Sequence, residues 1–328
     1  MVSRIIGFLG KEWQNLNEAA LLLSVCALLS QVLAVVRDRL FAHFFGAGTT
    51  LDIYYTAFRI PDFLYVSIAS FVSVTVLIPI LLEKMGNSKE VNDESKKFIN
   101  DAFTVFFVVI ILASIILFFL IPFIVPFIAP GFNEDSIDKL INLSRILLLS
   151  PILIGISNLI GSVTQTFRKF FVYALSPVMY NLGIIFGILF FYPLYGVSGL
   201  AYGVILGAVF HLAIQIPVLL SHNFFPSFSK NINFETIKRI VFISLPRTLT
   251  ISLNQFSLIV IVAIASLLEE GSISVFNFSY NLQSVPIVII GISYSVAAFP
   301  GLVRFFSAGD KISFAKELRK RMTPAEIK

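Results

Sequence analysis

RDRLFAHFFGAGTTLDIYYTAFRIPDFLYVSIASFVSVTVLIP, residues 37–79, decides how the chain is interpreted. We interpret it as the end of one membrane helix, a small-residue turn at 46–48 and a second helix that returns. A charge in the middle of a membrane helix costs roughly 2.5–3.5 kcal/mol and usually faces a cavity or another helix. Arg59 and Asp62 are three residues apart and share one helical face, so they are expected to line a water-accessible cavity. The alternative is a buried ion pair that only holds two helices together.

The composition is that of a membrane protein. Of the 328 residues, 57% are hydrophobic and only 13% are charged, against about 25% charged in soluble proteins. Residues 170–229 contain no Lys, Arg, Asp or Glu, and the mean hydropathy is +0.90. Long apolar runs without strict alternation favour helices over a barrel. We therefore predict an all-α polytopic membrane protein, whose net charge of +5 does not indicate a nucleic-acid partner.

Apolar runs of about 20 residues mark the membrane spans. The sequence predicts eight of them: Ala19–Val36, Ile53–Leu82, Ala102–Ile128, Ile146–Val163, Phe170–Tyr192, Leu194–Leu220, Ile240–Leu268 and Val275–Val303.

The distribution of Lys and Arg predicts the orientation. Eighteen of the 24 fall on the side of the N-terminus, four on the opposite side and two inside spans. Both termini are therefore expected in the cytoplasm.

A weak internal repeat suggests two halves. Four Gln, Gly and Pro positions recur at offsets of 221 to 225 residues, and the pairs are Gln31 with Gln255, Gly48 with Gly271, Pro61 with Pro286 and Pro79 with Pro300. This predicts a complete six-helix bundle over 1–220, a cytoplasmic linker over 221–239, the first two helices of a second bundle over 240–306 and a basic amphipathic cytoplasmic tail over 307–328. Parallel repeats of this kind build transporters whose substrate site lies between the halves.

Motifs for bond chemistry are missing from the sequence. It contains no H-E-x-x-H, C-x-x-C, P-loop or G-x-S-x-G pattern, and the single Cys26 excludes an internal disulfide. We expect no catalytic residue, no metal site and no cofactor, so the chain is not expected to be an enzyme.

Several motifs together resemble the lipid II flippase family, MurJ or MviN. They are V-L-x-x-x-R-D at 32–38, F-G-A-G at 45–48, A-F-R-I-P at 57–61, A-P-G-F at 129–132, L-P-R-T-L at 245–249 and G-S-I-S at 271–274. The family belongs to the multidrug, oligosaccharidyl-lipid and polysaccharide exporter superfamily. The resemblance implies two bundles around a central cavity, in the cytoplasmic membrane of a bacterium.

The resemblance also implies a function and a set of site residues. Such a protein moves lipid-linked peptidoglycan precursor across the membrane by alternating access, for cell-wall synthesis, in contact with membrane lipids. Carried onto this sequence, the substrate-binding residues are Arg37, Asp52, Arg59 and Arg247. A guanidinium suits a pyrophosphate because it is always charged and binds phosphate oxygens bidentately.

The sequence departs from the family pattern at several cavity positions. Gln31 stands where a basic residue is usual, Tyr280-Asn281 replace an acid-Arg pair, and Ser284 replaces an acid. Two alternatives therefore stay open: a flippase for another undecaprenyl-linked oligosaccharide, and a non-transporting membrane scaffold. The chain also resembles a C-terminally shortened member, so we expect it not to flip lipid alone. A separate chain is one source of the missing helices, and a fragment of a longer protein is the alternative.

Overall fold

The computed structural model describes residues 16–86, 92–221, 224–286 and residue 315. Every regular element in these ranges is a helix. In chain order they are α1 Leu16–Phe45, α2 Thr49–Ala57, α3 Arg59–Ala69, a 3-10 turn Ser70–Val72, α4 Val74–Met85, α5 Asp93–Ile128, α6 Glu134–Leu147, α7 Leu149–Thr166, α8 Phe170–Phe186, a π-helical turn Gly187–Phe191, α9 Tyr192–Tyr195, α10 Val197–Ala213, α11 Ile216–Ser221, α12 Phe234–Ala265 and α13, residues 272–286.

Six stretches of helix within the described ranges are long and apolar enough to cross a membrane. They are Leu21–Phe45, Asp93–Ile128, Glu134–Thr166, Phe170–Tyr195, Val197–Leu220 and Phe234–Ala265. The prediction of a polytopic all-α membrane protein is confirmed, while the count of eight spans is not. The predicted eighth span is described only to residue 286, and the predicted tail 307–328 lies outside the described residues apart from residue 315.

The second predicted span, Ile53–Leu82, is not one continuous helix. Pro61 has no N–H and interrupts the backbone ladder between α2 and α3, although Asp62 N still donates to Phe58 O at 2.8 Å. A sharper break follows the 3-10 turn, where Ser73 is extended with φ −68° and ψ 144°. Three short helices in line therefore replace the single helix that the hydropathy predicts.

The first span is longer than predicted, so Arg37 lies inside the helix and not after its end. The span was predicted to end at Val36, with Arg37 and Arg39 assigned to the opposite side of the membrane from the N-terminus. In the structure α1 continues to Phe45, so Arg37 lies about 12 Å along the helix before its end. Arg37 therefore lies within α1 and not after its end, with Asn181 of another helix among its polar partners, and the side of the membrane assigned to it stays a prediction.

We call residues 16–221 the first part of the chain and residues 224–286 the second part. The two parts pack together through α12 and α13. Helix α1 packs along α8, α10 packs along α8, and α12 lies against α3 and α5. Leu51 of α2, Leu77 of α4 and Ile99 of α5 are fully buried in the hydrophobic core. The division of the chain at residue 220 stays a prediction.

Glycines let α10 approach α8 and the π-helical turn very closely. A Cβ on Gly203 would lie 2.5 Å from the Cα of Gly187, and a Cβ on Gly183 would lie 2.2 Å from the Cα of Gly207. Small residues on one face allow such contacts in lipid, where apolar burial gives helices little drive to associate. Gly199, Gly203 and Gly207 recur every four residues, a spacing that predicts a packing face on α10, and the structure shows this face against α8 and the π-helical turn.

We predict that Gly203→Leu strongly destabilises the protein, because the added side chain meets the backbone of Gly187. The free energy of unfolding should fall by about 3 kcal/mol, at the upper end for overpacking. Tyr202→Leu is the matched control, since Tyr202 is 40% exposed on the same helix. Thermal unfolding in detergent should separate the two variants, and equal midpoints would contradict the close packing.

Candidate polar cavity between the two parts of the chain

A polar cavity of about 400 Å³ lies where α12 and α13 meet the first part of the chain. Its charged lining residues are Arg37 from α1 and Arg59 and Asp62 from α3. Its other polar lining residues are Tyr54, Tyr55, Tyr180, Asn254, Gln255, Asn277, Tyr280 and Asn281. The structure thus brings Arg37 and Arg59 together in one cavity, as two of the four predicted site residues.

Arg37 is held by an acid and an amide. Its Nη2 lies 2.9 Å from Asp38 Oδ1, and its Nη1 donates to Asn181 Oδ1 at 3.1 Å. Asn181 in turn donates to Ser30 Oγ at 3.2 Å, so the amide ties α8 to α1. The neighbouring carboxylate largely compensates the charge of Arg37. An amide in an apolar helix is expected to form an interhelical hydrogen bond, and Asn181 does so.

Arg59 is paired with a neutral group. Its side chain is only 6% exposed, and Nη2 donates to Asn277 Oδ1 of α13 at 2.7 Å. Its Nε has no hydrogen-bond partner among the described residues. Arg59 therefore contributes an incompletely hydrogen-bonded cation to the cavity wall. Asp62 lies in the same wall and interacts electrostatically with Arg59, but no hydrogen bond joins the two side chains in the described part of the chain.

Two further polar groups in the wall bear on what the cavity accepts. The hydroxyl of Tyr55 is buried and has no hydrogen-bond partner in the described part of the chain. The carboxylate of Asp62 faces the side-chain amide of Gln255. The wall thus offers unsatisfied donors next to one acid, which suits a ligand that carries both an anion and hydroxyl groups.

Asp52 is not in this cavity. Its carboxylate accepts three hydrogen bonds from the start of α13: Gly271 N to Oδ2 at 2.7 Å, Ser274 N to Oδ1 at 2.7 Å and Ser274 Oγ to Oδ1 at 2.5 Å. A carboxylate at a helix N-terminus satisfies the free N–H groups and complements the helix dipole. Asp52 therefore acts in this structure as the cap of a helix 219 residues away in sequence.

A second contact runs in the opposite direction, because an acid that precedes α13 caps the start of α2. Glu270 accepts a hydrogen bond from Thr49 N at 2.9 Å and another from Thr49 Oγ1, at the start of α2. These bonds, led by that of the hydroxyl, hold the pKa of the Glu270 carboxyl below its ordinary value. We call residues 46–48 and 269–271, with Asp52 and Thr49, the paired turns.

Two glycines explain why each helix is capped by a carboxylate from the other part of the chain. The residue before α2 is Gly48, which has no side chain to cap its own helix. Gly271 occupies the same place before α13, with φ +91°, and a Cβ there would lie 2.6 Å from Ala47 O. Only glycine fits so close to the opposite backbone, so each turn relies on a carboxylate from elsewhere.

Arg247 does not line the cavity either. It is exposed on α12, and its Nη1 lies 3.5 Å from Ser73 Oγ at the break between the 3-10 turn and α4. Thus only two of the four predicted site residues share the central cavity, and Asp52 and Arg247 lie at other contacts between the two parts of the chain.

A second polar cleft of about 390 Å³ adjoins the first, between α1 and α13. Gln31 Nε2 donates to Ser284 Oγ at 3.4 Å, and Asn281 Nδ2 donates to Asp38 Oδ2 at 2.9 Å. These are the positions where the sequence departs from the family pattern. Neutral residues face each other at one contact, and an amide faces an acid at the other.

The far end of the molecule from the paired turns carries an exposed ion pair. Arg239 of α12 binds Glu83 of α4 with two bonds, Nη1 to Oε1 at 2.9 Å and Nη2 to Oε2 at 2.8 Å. An exposed pair of this kind contributes only about 0–1 kcal/mol. The two parts of the chain are thus held tightly at one end and loosely at the other.

Asn277 of α13 is a functional candidate that the sequence did not indicate, and Asn281 was indicated only as a departure from the family pattern. Asn277 and Asn281 contact Arg59 and Asp38. Their spacing of four residues places them on one helical face, and this was the available signal. Their partners lie 218 and 243 residues earlier, so periodicity alone could not supply the pairing.

A bundle of membrane-spanning helices with a polar cavity between its two parts defines a multi-pass membrane protein of transporter-like architecture. A family model described as lipid II flippase MurJ matches residues 41–323. The chain belongs to this family.

Individual relatives agree with the family match. A probable lipid II flippase MurJ of Buchnera aphidicola subsp. Acyrthosiphon pisum is 31% identical over 309 residues, which is 93% of this chain and 60% of the relative. The lipid II flippase MurJ of Burkholderia cenocepacia is 28% identical over 296 residues, 88% of this chain and 57% of that protein. The chain therefore spans about 60% of the length of the curated relatives it matches.

Solved structures share the fold. One described as lipid II flippase MurJ, inward closed conformation, superposes with a TM-score of 0.73 at 22% identity, over 92% of this chain and 61% of that one. A transporter of the MOP superfamily from Pyrococcus furiosus superposes with a TM-score of 0.62 at 15% identity, over 96% of this chain and 70% of that one.

We predict that Asp52→Ala weakens the contact at the paired turns, because three donors of α13 lose their acceptor. Stability should fall by at least about 2 kcal/mol, and Asp52→Asn should recover part of it because an amide oxygen also caps helices. Hydrogen exchange at the amides of Gly271 and Ser274 should accelerate. The control is Asp135→Ala, an exposed acid that pairs with Lys139. Unchanged exchange in Asp52→Ala would exclude the cap.

Proposed function

We propose that this chain binds lipid-linked peptidoglycan precursor and takes part in its movement across the bacterial cytoplasmic membrane. The observation that carries the proposal is Arg59. Arg59 lines the central cavity between the two parts of the chain. Its Nη2 donates to a neutral amide, and its Nε has no hydrogen-bond acceptor among the described residues. A charge so placed favours an anionic ligand, and the family supplies its class, a pyrophosphate-linked lipid.

Arg59 rather than Arg37 is the principal anion-binding group in this proposal. Asp38 already pairs with Arg37 at 2.9 Å, so binding a phosphate there requires that ion pair to loosen. Arg59 needs only to exchange the Asn277 amide for a phosphate oxygen. A phosphate accepts two parallel bonds from one guanidinium, which a single amide oxygen does not.

Transport in this proposal uses the two contacts between the halves as gates. Residues 1–220 form the first bundle, and residues 240–306 contribute helices of the second. The paired turns close one side through buried, charge-assisted bonds, and Glu83 with Arg239 closes the other side weakly. The weaker gate opens more readily, so the cavity is reached first from the side of Glu83.

The excess of Lys and Arg assigns that side to the cytoplasm, with both termini there and eight spans in all. Lipid-linked precursor is made inside the cell and used outside. Entry through the weaker, cytoplasmic gate therefore agrees with the direction of the proposed transport.

A flippase for another undecaprenyl-linked oligosaccharide is the second candidate. The residue types in the cavity wall support it. Four tyrosines and four amides line the wall. Its described residues include one acid, and Asp38 balances one of the two cations. Tyrosine and amide groups suit sugar hydroxyls, so the glycan contributes to recognition together with the pyrophosphate. A scaffold without transport would show no preference for either part of such a lipid.

We predict that Arg59→Ala lowers the affinity for lipid-linked peptidoglycan precursor at least tenfold, because the cavity loses its incompletely satisfied cation. Arg59→Lys should retain part of the affinity, since the charge remains and the planar fork does not. Native mass spectrometry of the purified full chain with the precursor measures both variants.

The control for this measurement is Arg168→Gln, which removes an exposed cation from the turn before α8. It should bind as the wild type does. Undecaprenyl pyrophosphate without sugars should bind more weakly than the complete precursor. Equal affinities of wild type and Arg59→Ala would favour the scaffold, and tighter binding of a different glycan would favour the second candidate.

The proposed orientation predicts which positions react from outside the cell. After Cys26→Ala, single cysteines at Asp135 and Glu269 should react with a membrane-impermeant maleimide in intact cells. A cysteine at Asp93, at the start of α5, should react only after the cells are opened. Labelling at Asp93 in intact cells would reverse the assigned orientation.

A further inference from the structure

An apolar groove on the outer surface of the bundle lies apart from the central cavity. It has a volume of about 520 Å³ and runs between α5 on one side and α6 and α7 on the other. Its walls include Ile115 and Phe119 from α5 and Ile152 from α7. Its size lies within the range of small-molecule sites.

One cation stands in this apolar groove. Arg145, in the last turn of α6, donates from Nε to Phe118 O at 3.1 Å, and its guanidinium lies 4.5 Å from the centre of the Phe118 ring. In the described part of the chain no carboxylate pairs with it, and neither Nη group has a hydrogen-bond acceptor. The Phe118 contacts fix the guanidinium and leave its two outer nitrogens available.

A second polar group in the groove has no partner among the described residues. The Oγ of Ser114 is buried, and it hydrogen-bonds to no other residue that the structure describes. Most other hydroxyls in the apolar helices donate to a backbone carbonyl of the same helix, as Ser176 does to Val172 O at 3.0 Å. Ser114 lies one helical turn, about 6 Å, nearer to the start of α5 than Phe118.

Both helices place Arg145 in one half of the membrane. From Asp101, the last charge at the start of α5, Phe118 is 17 residues away, or about 26 Å along the helix, and from Phe118 to Ile128 at the end of α5 is about 15 Å. From Arg168, after α7, Arg145 is 23 residues away, or about 35 Å. The hydrocarbon core of a bilayer is about 30 Å thick, so Arg145 lies in the leaflet farther from Asp101, where its long side chain extends towards the headgroups.

We propose that this groove binds one anionic glycerophospholipid. The lipid phosphate accepts hydrogen bonds from the two Nη groups of Arg145. Ser114 Oγ, which is buried in the free protein, rotates towards the groove and donates to a glycerol ester carbonyl one turn deeper. One acyl chain lies along Ile115, Phe119 and Ile152. An anionic headgroup is preferred over a zwitterionic one because no carboxylate in the described part of the chain balances the charge of Arg145.

The test is lipid binding by the delipidated full chain in detergent, followed by native mass spectrometry. Phosphatidylglycerol and phosphatidylcholine with identical acyl chains are the two probes. The wild type should retain one phosphatidylglycerol at concentrations at which phosphatidylcholine is lost. Arg145→Gln should bind phosphatidylglycerol at least fivefold more weakly and lose the preference between the two lipids.

Two more variants separate the groove from general charge effects. Lys139→Gln removes an equal charge from the same helix, where Lys139 is exposed and pairs with Asp135, and should bind as the wild type does. Ile115→Trp keeps Arg145, fills the groove and should weaken both lipids. The proposal is overturned if Arg145→Gln keeps the wild-type preference, if Lys139→Gln weakens binding equally, or if Ile115→Trp binds both lipids normally. Should Arg145→Gln fail to fold, the Ile115→Trp result alone decides.

Discussion

A guanidinium among apolar helices requires oxygen atoms around it, and this requirement organises the centre of the molecule. Arg37 and Arg59 both lie in the first part of the chain, and each depends on groups elsewhere. Asn181 of α8 accepts from Arg37, and Asn277 of α13 accepts from Arg59. An unsatisfied charge in this setting costs several kcal/mol. Arg37 keeps its pair with Asp38 when Asn181 is lost, whereas Arg59 needs a substitute acceptor when α13 moves away. In the proposed function, this polar contact between the two parts of the chain is the place where a ligand replaces protein groups.

The paired turns show how two helix starts can depend on each other. Neither Gly48 nor Gly271 can cap its own helix, and each helix is completed by a carboxylate from the opposite part of the chain. Separation at this end exposes the N–H groups of both helices at once, because the two caps are lost in the same movement. Water or another anion has to replace both carboxylates when the turns part.

The sequence predicted the helical membrane architecture well, because a run of about 20 apolar residues rarely occurs except in a helix that crosses a membrane. It also predicted that Arg37 and Arg59 belong to one site. The break at Ser73 was not predicted, since the surrounding residues contain neither Gly nor Pro and only tertiary packing reveals it. The role of Asp52 was missed for a different reason. Its three donors lie some 220 residues away, and a charge near the start of a membrane helix has the same sequence signature whether it binds a ligand or caps another helix.

The exposed pair of Glu83 and Arg239 gives the two ends of the molecule different sensitivities to their surroundings. In physiological salt the Debye length is about 8 Å, so mobile ions screen a solvent-exposed pair while a buried carboxylate is largely protected from them. The contact at this end therefore weakens as the ionic strength of the adjoining solution rises, whereas the bonds of Asp52 do not respond. The relative strength of the two contacts thus depends on the salt content of the solution at one end of the molecule, without any ligand and without any change in the buried contacts.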